Sequence, residues 1–169
     1  MKHYIGIDPG SHGYIVVIGE NGEYLNSLAI EDSTEQEVVN FLKRANLECT
    51  CAMEDVHSMP GQGVSTTFAF GRNVGFLQGI LVALQIPYTL VTPRKWQKEM
   101  WIAKDMVFTV RKDKHGEDKR QVAPKPTSIN AATRLFPTTD LRKSDRAHNP
   151  HDGKCDALLI ALYAKRMNL

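Results

Sequence analysis

The chain has 169 residues, 42% of them apolar, which is enough to bury the core of one domain, and no run approaches the ~18 continuous apolar residues of a membrane span. Three cysteines, two of them one residue apart at Cys49 and Cys51, suit reduced core thiols; they make neither a disulfide framework nor the paired ligands of a zinc site. The net charge of +2 conceals an asymmetry: residues 1–60 hold three Lys/Arg against ten Asp/Glu, residues 61–169 eighteen against nine, so the later part is the surface for a polyanion.

Met-Lys-His-Tyr runs directly into Ile-Gly-Ile-Asp, which is not an export signal, so a soluble, cytoplasmic protein with no membrane partner is expected. Lys2–Asp8 and Tyr14–Ile18 read as strands joined by the turn Asp8-Pro9-Gly10-Ser11-His12-Gly13, and Glu23–Ile30 as a third after Asn21-Gly22. Asp32, Ser33 and Thr34 offer caps to an amphipathic helix over Thr34–Ala45, whose Val38, Val39, Phe41, Leu42 and Ala45 recur at helical spacing. Cys49–Val56 returns as a strand and gives out at Pro60-Gly61-Gln62-Gly63.

Ser65–Gln85 carries an apolar helical pattern with Gly71, Gly75 and Gly79 every four residues. Pro87–Thr92 reads as another strand, and Thr92-Pro93-Arg94 as a helix start with proline at its first position. Residues 102–126 are charged and poorly patterned, which predicts a long, mobile, basic loop of the kind that usually carries function. Thr127–Leu135 is a short helix stopped by Phe136-Pro137, residues 138–150 form a second mobile polar loop, and a last helix begins near Asn149-Pro150 and runs to about Met167. The order implies one mixed α/β domain over residues 1–169.

Four acids stand where they are hard to hide. Asp8 ends the apolar run Tyr4-Ile5-Gly6-Ile7, Glu54 follows Cys51-Ala52-Met53, and Asp152 and Asp156 open the apolar helix Ala157–Ala161. A carboxylate at the end of a buried strand is costly unless a cation neutralises it, and divalent metal is the natural partner of four that converge. Each has a plainer reading: Asp-Pro-Gly is a common turn, Glu54 beside Asp55 could be solvated, and Asp152 could sit at N3 of a helix capped by Asn149. Asp156 is the hardest to explain away, because it repeats the charge of Asp152 one turn further along the same face.

Basic residues supply a second constellation. Arg94, Lys95, Lys98, Lys104, Arg111, Lys112, Lys114, Lys119, Arg120 and Lys125 are interleaved with Trp96, Trp101 and Phe108, a mixture suited to a nucleic-acid groove. His57, Met59 and Gln62 lie directly after Glu54 in a glycine-rich stretch where backbone can approach DNA and Met59 could act as an apolar wedge. DNA contacts are therefore expected from His57, Met59, Gln62, Arg72, Lys95, Lys112, Lys114, Lys119 and Arg120. His148 and His151 read as solvent-exposed loop residues.

Ile5-Gly6-Ile7-Asp8-Pro9-Gly10, the strand-end Glu54 and His151-Asp152-Gly153-Lys154-Cys155-Asp156-Ala157-Leu158 resemble the RuvC-type Holliday junction resolvases, especially the short bacteriophage-type members. Thr92-Pro93-x-x-Trp96 and Lys125 to Leu135-Phe136-Pro137 resemble that family's middle section. The resemblance implies a ribonuclease H-like fold with a mixed five-stranded sheet flanked by helices, two Mg²⁺ ions replaceable by Mn²⁺, a homodimer, and paired nicking of branched DNA such as a four-way junction. It implies that Asp8 bridges the metals, Glu54 holds one, Asp152 with Asp156 hold the other, and Lys125 is an active-site lysine. Several relatives space the two C-terminal acids three apart; here Gly153 stands at that spacing from Asp156, which leaves open whether His151, Asp152 or both meet metal. Other readings are a ribonuclease H-like enzyme acting on RNA:DNA hybrid or structured RNA, and a junction-binding protein without catalysis. An actin-like or sugar-kinase ATPase needs a second phosphate-binding Asp-x-Gly and an adenosine pocket that 169 residues do not supply.

Overall fold

The computed structural model describes residues 2–45, 48–57, 63–112 and 115–169. Its elements are β1 (His3–Ile7), β2 (Tyr14–Ile18), β3 (Tyr24–Ala29), α1 (Glu35–Ala45), β4 (Cys49–Glu54), α2 (Val64–Ala83), β5 (Tyr88–Val91), α3 (Pro93–Met100), β6 (Phe108–Lys112), β7 (Asp118–Val122), α4 (Pro124–Leu135) and α5 (Asp152–Arg166). Five strands form one sheet in the order β3-β2-β1-β4-β5, the first three an antiparallel meander and β4 and β5 parallel to β1. Among the described residues no helix is long and apolar enough to cross a membrane.

Strand alternation divides the core in two. Ile5, Ile7, Ile15, Val17, Cys51 and Met53 point to one face and pack with Val38, Phe41 and Leu42 of α1 and Leu77, Ile80 and Leu81 of α2. Tyr4, Val16, Ile18 and Ala52 point to the other, against Leu158, Ile160 and Ala161 of α5, Ala131 of α4 and Trp96 of α3. Because both faces of β1 and β2 are covered, these strands read as unbroken apolar runs. At the start of α1, Glu37 accepts from Thr34 N at 2.7 Å while Thr34 Oγ1 accepts from Glu37 N, the reciprocal cap expected of that sequence.

The position of α5 is set by two glycines. A Cβ built on Gly6 would lie 2.0 Å from Ala157 O and 2.3 Å from Ala161 N, so the helix backbone rests directly on β1. A Cβ on Gly153 would lie 2.2 Å from His12 O, so the first turn of the helix abuts the β1–β2 turn. The departure at position 153 thus has a steric cause: only glycine lets the two acids of α5 come this close to Asp8.

Three expectations need correction. Residues 102–126 are not one loop: β6 and β7 pair as an antiparallel hairpin. The fourth helix starts three residues early, at Pro124, with two prolines in its opening turn where their missing N–H groups cost nothing. The last helix starts late, because Pro150 is held in a bridge to Arg142 and His151 N donates to Leu141 O at 2.9 Å. His151, not Asn149, is the cap residue, and Asp152 opens the helix itself rather than standing at N3. Residues 138–150 are irregular, with Leu141 buried, Arg142 paired to Asp140 at 2.8 Å, and Lys143 bound to Glu31 and Asp32.

Candidate active site

Register brings the first two acids together. Ile7 pairs with Met53 on adjacent parallel strands, so the next residues, Asp8 and Glu54, stand side by side at the C-terminal edge of the sheet. Asp8 turns back on its own loop, where Oδ1 accepts from Gly10 N at 2.9 Å, and the loop is held from α2 by Asn73, whose Nδ2 donates to Pro9 O at 2.9 Å. From the other side α5 presents Asp152 and Asp156 one turn apart, with the Gly153 Cβ position 3.3 Å from Asp8 Oδ2.

The electrostatics record that convergence. Burial pushes Asp8 up to about 6, against the Gly10 N–H that draws it down, with the Asp152 charge adding to the rise. Burial and then the Asp8 charge push Glu54 up to about 7. Burial pushes Asp156 up to about 8, opposed by the Ser128 hydroxyl and reinforced by the Asp8, Glu54 and Asp152 charges. Ser128 is near enough to Asp156 to act on its charge, yet Ser128 Oγ and Asp156 Oδ1 are both buried without a partner in hydrogen-bond geometry among the described residues. Burial works upward on Asp152 too, but Lys125 outweighs it: Nζ lies 2.5 Å from Oδ2 and holds this carboxyl below its usual range.

Four acids on three elements, three of them short of solvation and one already holding an ammonium, form a site that lacks positive charge. Among the described residues no three His, Cys, Asp or Glu side chains stand as a finished ligand set for one ion. The donors nevertheless fit a hard divalent cation: all are carboxylate oxygens, and Asp156 Oδ1 is buried without a hydrogen-bond partner among the described residues.

Trp96 belongs to this site in a way its sequence context did not suggest. The residue is fully buried, so it is no stacking platform for a base; its Nε1–H donates to Glu54 Oε1 at 2.9 Å and aims that carboxylate. Trp101 packs edge-on against it with ring centroids 5.9 Å apart, and of the three interleaved aromatics only Phe108 is exposed. The spacing of Trp96 and Met100, one helical turn, was the available signal for a buried stripe. Trp96→Phe should remove the donor and lower metal-dependent turnover about tenfold, with a loss of a few degrees in melting temperature from the void it leaves; unchanged turnover would deny the indole any positioning role.

His151 is also misjudged by its sequence. Its side chain is largely buried, tilted against the Tyr14 ring with centroids 4.9 Å apart, with Nδ1 unpartnered among the described residues and 3.9 Å from Asp152 Oδ1; burial lowers its pKa. His148 is exposed, as expected.

The proposed DNA-contact residues are distributed more widely. Arg72 lines a cleft of about 710 Å³ shared with Pro9, Gly10 and Ser11, immediately beside Asp8. His57 is exposed, 3.7 Å from Asp55 Oδ1, Lys95 is exposed on α3, and Lys112, Lys119 and Arg120 are exposed on the hairpin. Met59, Gln62 and Lys114 lie outside the described residues.

No protein-family model and no curated protein matches this chain. Solved structures do. RuvC of T. thermophilus in complex with a Holliday junction substrate is 15% identical with a TM-score of 0.56, covering 99% of this chain and 96% of that one. A second structure of Thermus thermophilus RuvC is 16% identical with a TM-score of 0.55, over 98% and 96% of the two chains. The fold is therefore RuvC-like, the ribonuclease H-like arrangement expected from the sequence.

Proposed function

We propose that this protein is a divalent-metal-dependent endodeoxyribonuclease that resolves four-way or other branched DNA by paired phosphodiester hydrolysis. The observation that carries the reading is the convergence of Asp8, Glu54, Asp152 and Asp156 at one edge of a RuvC-like sheet, with three of the four held in a poorly hydrated, charge-deficient setting. Asp8, Glu54 and Asp156 would hold Mg²⁺ or Mn²⁺, with Asp152 or His151 completing the set. Two such ions, when bound, supply an activated water and stabilise the departing oxygen. The chain's own residues do the rest. Trp96 fixes the rotation of Glu54, the Gly10 N–H fixes Asp8, and Lys125 neutralises Asp152 and stands ready for a phosphate oxygen. Arg72, Lys95, Lys112, Lys114 and Lys119 would carry the DNA backbone, Met59 would act as an apolar wedge, and His57, Gln62 and Arg120 would add further DNA contacts.

Paired nicking calls for two sites, and α2 offers the surface for a homodimer. Phe68 is 73% exposed, Val64 and Val82 are also exposed, and Gly71, Gly75 and Gly79 lie along the same helix with open space above each. Closed two-fold symmetry would present the two sites to opposed strands. A soluble enzyme acting on DNA in a bacterial or phage-infected cytoplasm, of the short phage-type branch, completes this reading.

A cruciform plasmid tests it, because coupled cuts linearise the DNA and isolated nicks only relax it. Linear product from the parent in Mg²⁺ is expected. Nothing lies within 4 Å of a Cβ at Gly75, so Gly75→Leu should fold normally; it should sediment as a monomer and yield relaxed circles at best. A dimeric Gly75→Leu protein would move the interface elsewhere. Cleavage confined to RNA:DNA hybrid would replace the resolvase reading with the hybrid-specific one.

A further inference from the structure

The hairpin is an arm with two different faces. Residues opposite one another in an antiparallel pair share a face, and the pairs alternate. Phe108↔Val122, Val110↔Arg120 and Lys112↔Asp118 therefore lie on one side, Thr109↔Gln121 and Arg111↔Lys119 on the other. The second side is polar and basic. The first has Phe108 47% exposed and Val110 60% exposed, with the Arg120 guanidinium 3.9 Å from the Phe108 ring centroid.

This apolar side is not explained by the fold. β6 and β7 pack chiefly on each other and contribute no residue to either half of the core. The strand pair bears four cations against a single acid, Asp118, which suits a polyanion better than a second copy or an ordinary protein surface. Its base is clasped: Ala123 N donates to Val107 O at 2.8 Å and Val107 N to Thr127 Oγ1 at 3.0 Å. Thr127 belongs to the opening turn of α4, the turn that brings Lys125 to Asp152, so whatever the arm grips is delivered next to the acids.

We infer that the Phe108–Val110–Arg120 face stacks on unstacked bases of a branched DNA, while Arg111 and Lys119 on the reverse face follow its phosphates. The inference rests on the nuclease reading above and specifies how that site selects a branch. A flat ring overlaid by a guanidinium offers π surface to any base without regard to sequence, and linear duplex has no unstacked base to offer it. The arm is thus a selector of DNA form rather than of sequence.

The test compares a four-way junction with linear duplex of the same sequence, binding measured by anisotropy in Ca²⁺ across a salt series. Both faces are exposed, so substitutions there leave the core intact. Phe108→Ala/Val110→Ser should weaken junction binding about tenfold, leave duplex binding unchanged, and leave the salt slope as in the parent. Phe108→Trp should restore junction affinity. Arg111→Ala/Lys119→Ala should weaken both substrates alike and make the salt slope shallower by about two. The inference is overturned if the first double variant binds junction as the parent does, if it loses junction and duplex equally, or if it becomes monomeric in sedimentation, which would make the apolar side a contact between copies. A parent with no preference for junction over duplex removes the resolvase reading as well; a parent that prefers junction, with an unaffected variant, removes the stacking role alone.

Discussion

Asp8→Asn, Glu54→Gln and Asp156→Asn are each expected to abolish cleavage of a labelled four-way junction in Mg²⁺, by roughly 10²–10³-fold or more, while leaving junction binding intact or tighter. The amide keeps the shape of each side chain, so the Gly10 N–H still reaches position 8 and Trp96 still donates to position 54. What disappears is the anionic oxygen that would draw a cation, together with part of the repulsion that a phosphate meets on arrival. Gel assays of cleavage in Mg²⁺ and of binding in Ca²⁺ separate the two effects. Normal turnover by Asp8→Asn would sink the site assignment. Asp152→Asn divides two possibilities: an equally severe loss places Asp152 among the metal-holding groups, whereas a mild one leaves that place to His151, which stands 3.9 Å away with Nδ1 unpartnered among the described residues.

Melting temperature should depend on pH and Mg²⁺ together. Asp8, Glu54 and Asp156 are raised to about 6, 7 and 8, above the values they have in an unfolded chain. The folded state therefore binds more protons than the unfolded one between about pH 4 and 8, and the stability this contributes is lost as pH rises through the folded values. Metal-free protein should lose several degrees between about pH 5 and 8. The lowered carboxyls, Asp105, Asp140 and Asp152 among them, work in the opposite sense, but their change is over below about pH 5. His151, lowered by burial, adds stability as pH rises toward 7, so the fall between 7 and 8 is the cleanest reading of Asp156. Because Mg²⁺ competes with protons for the same oxygens, it should raise the melting temperature little at pH 5.5 and by several degrees at pH 8. A Mg²⁺ shift that is absent at every pH would count against a metal site, and a metal-free melting temperature that climbs from 7 to 8 would show that the acids are not held neutral.

The sheet and the four acids were legible because the constraints on them are local. Two buried strands ending in acids and an i,i+4 acidic pair at the head of an apolar helix each conflict with burial, and the conflict is visible residue by residue. The hairpin was not legible for the opposite reason. Phe-Thr-Val-Arg alternates for four residues only and Asp-Lys-Arg-Gln-Val holds a single apolar residue, so neither run carries the buried face by which a strand is recognised, and Gly116 is a weak sign of the turn between them. Trp96 was drawn toward the surface reading by the cations around it, and its role depends on Glu54, 42 positions earlier in the chain. The late start of α5 depends on a bridge between Arg142 and Pro150, which no helix-start rule contains.

The seat of α5 on Gly6 places the two ends of the sequence in one site. A ribosome making this protein exposes Asp8 first and Asp156 only after nearly 150 further residues, roughly 7–30 s later at ~5–20 residues per second. Once β2 and β4 have followed, β1 has its partner strands but lacks the helix that completes the far half of the core, so the nascent chain holds two acids of four until α5 is made. A break in the chain before Asp152 would act in the same direction. The four acids are therefore together only after α5 has docked on β1, so assembly of the proposed site is the last event in the making of the fold.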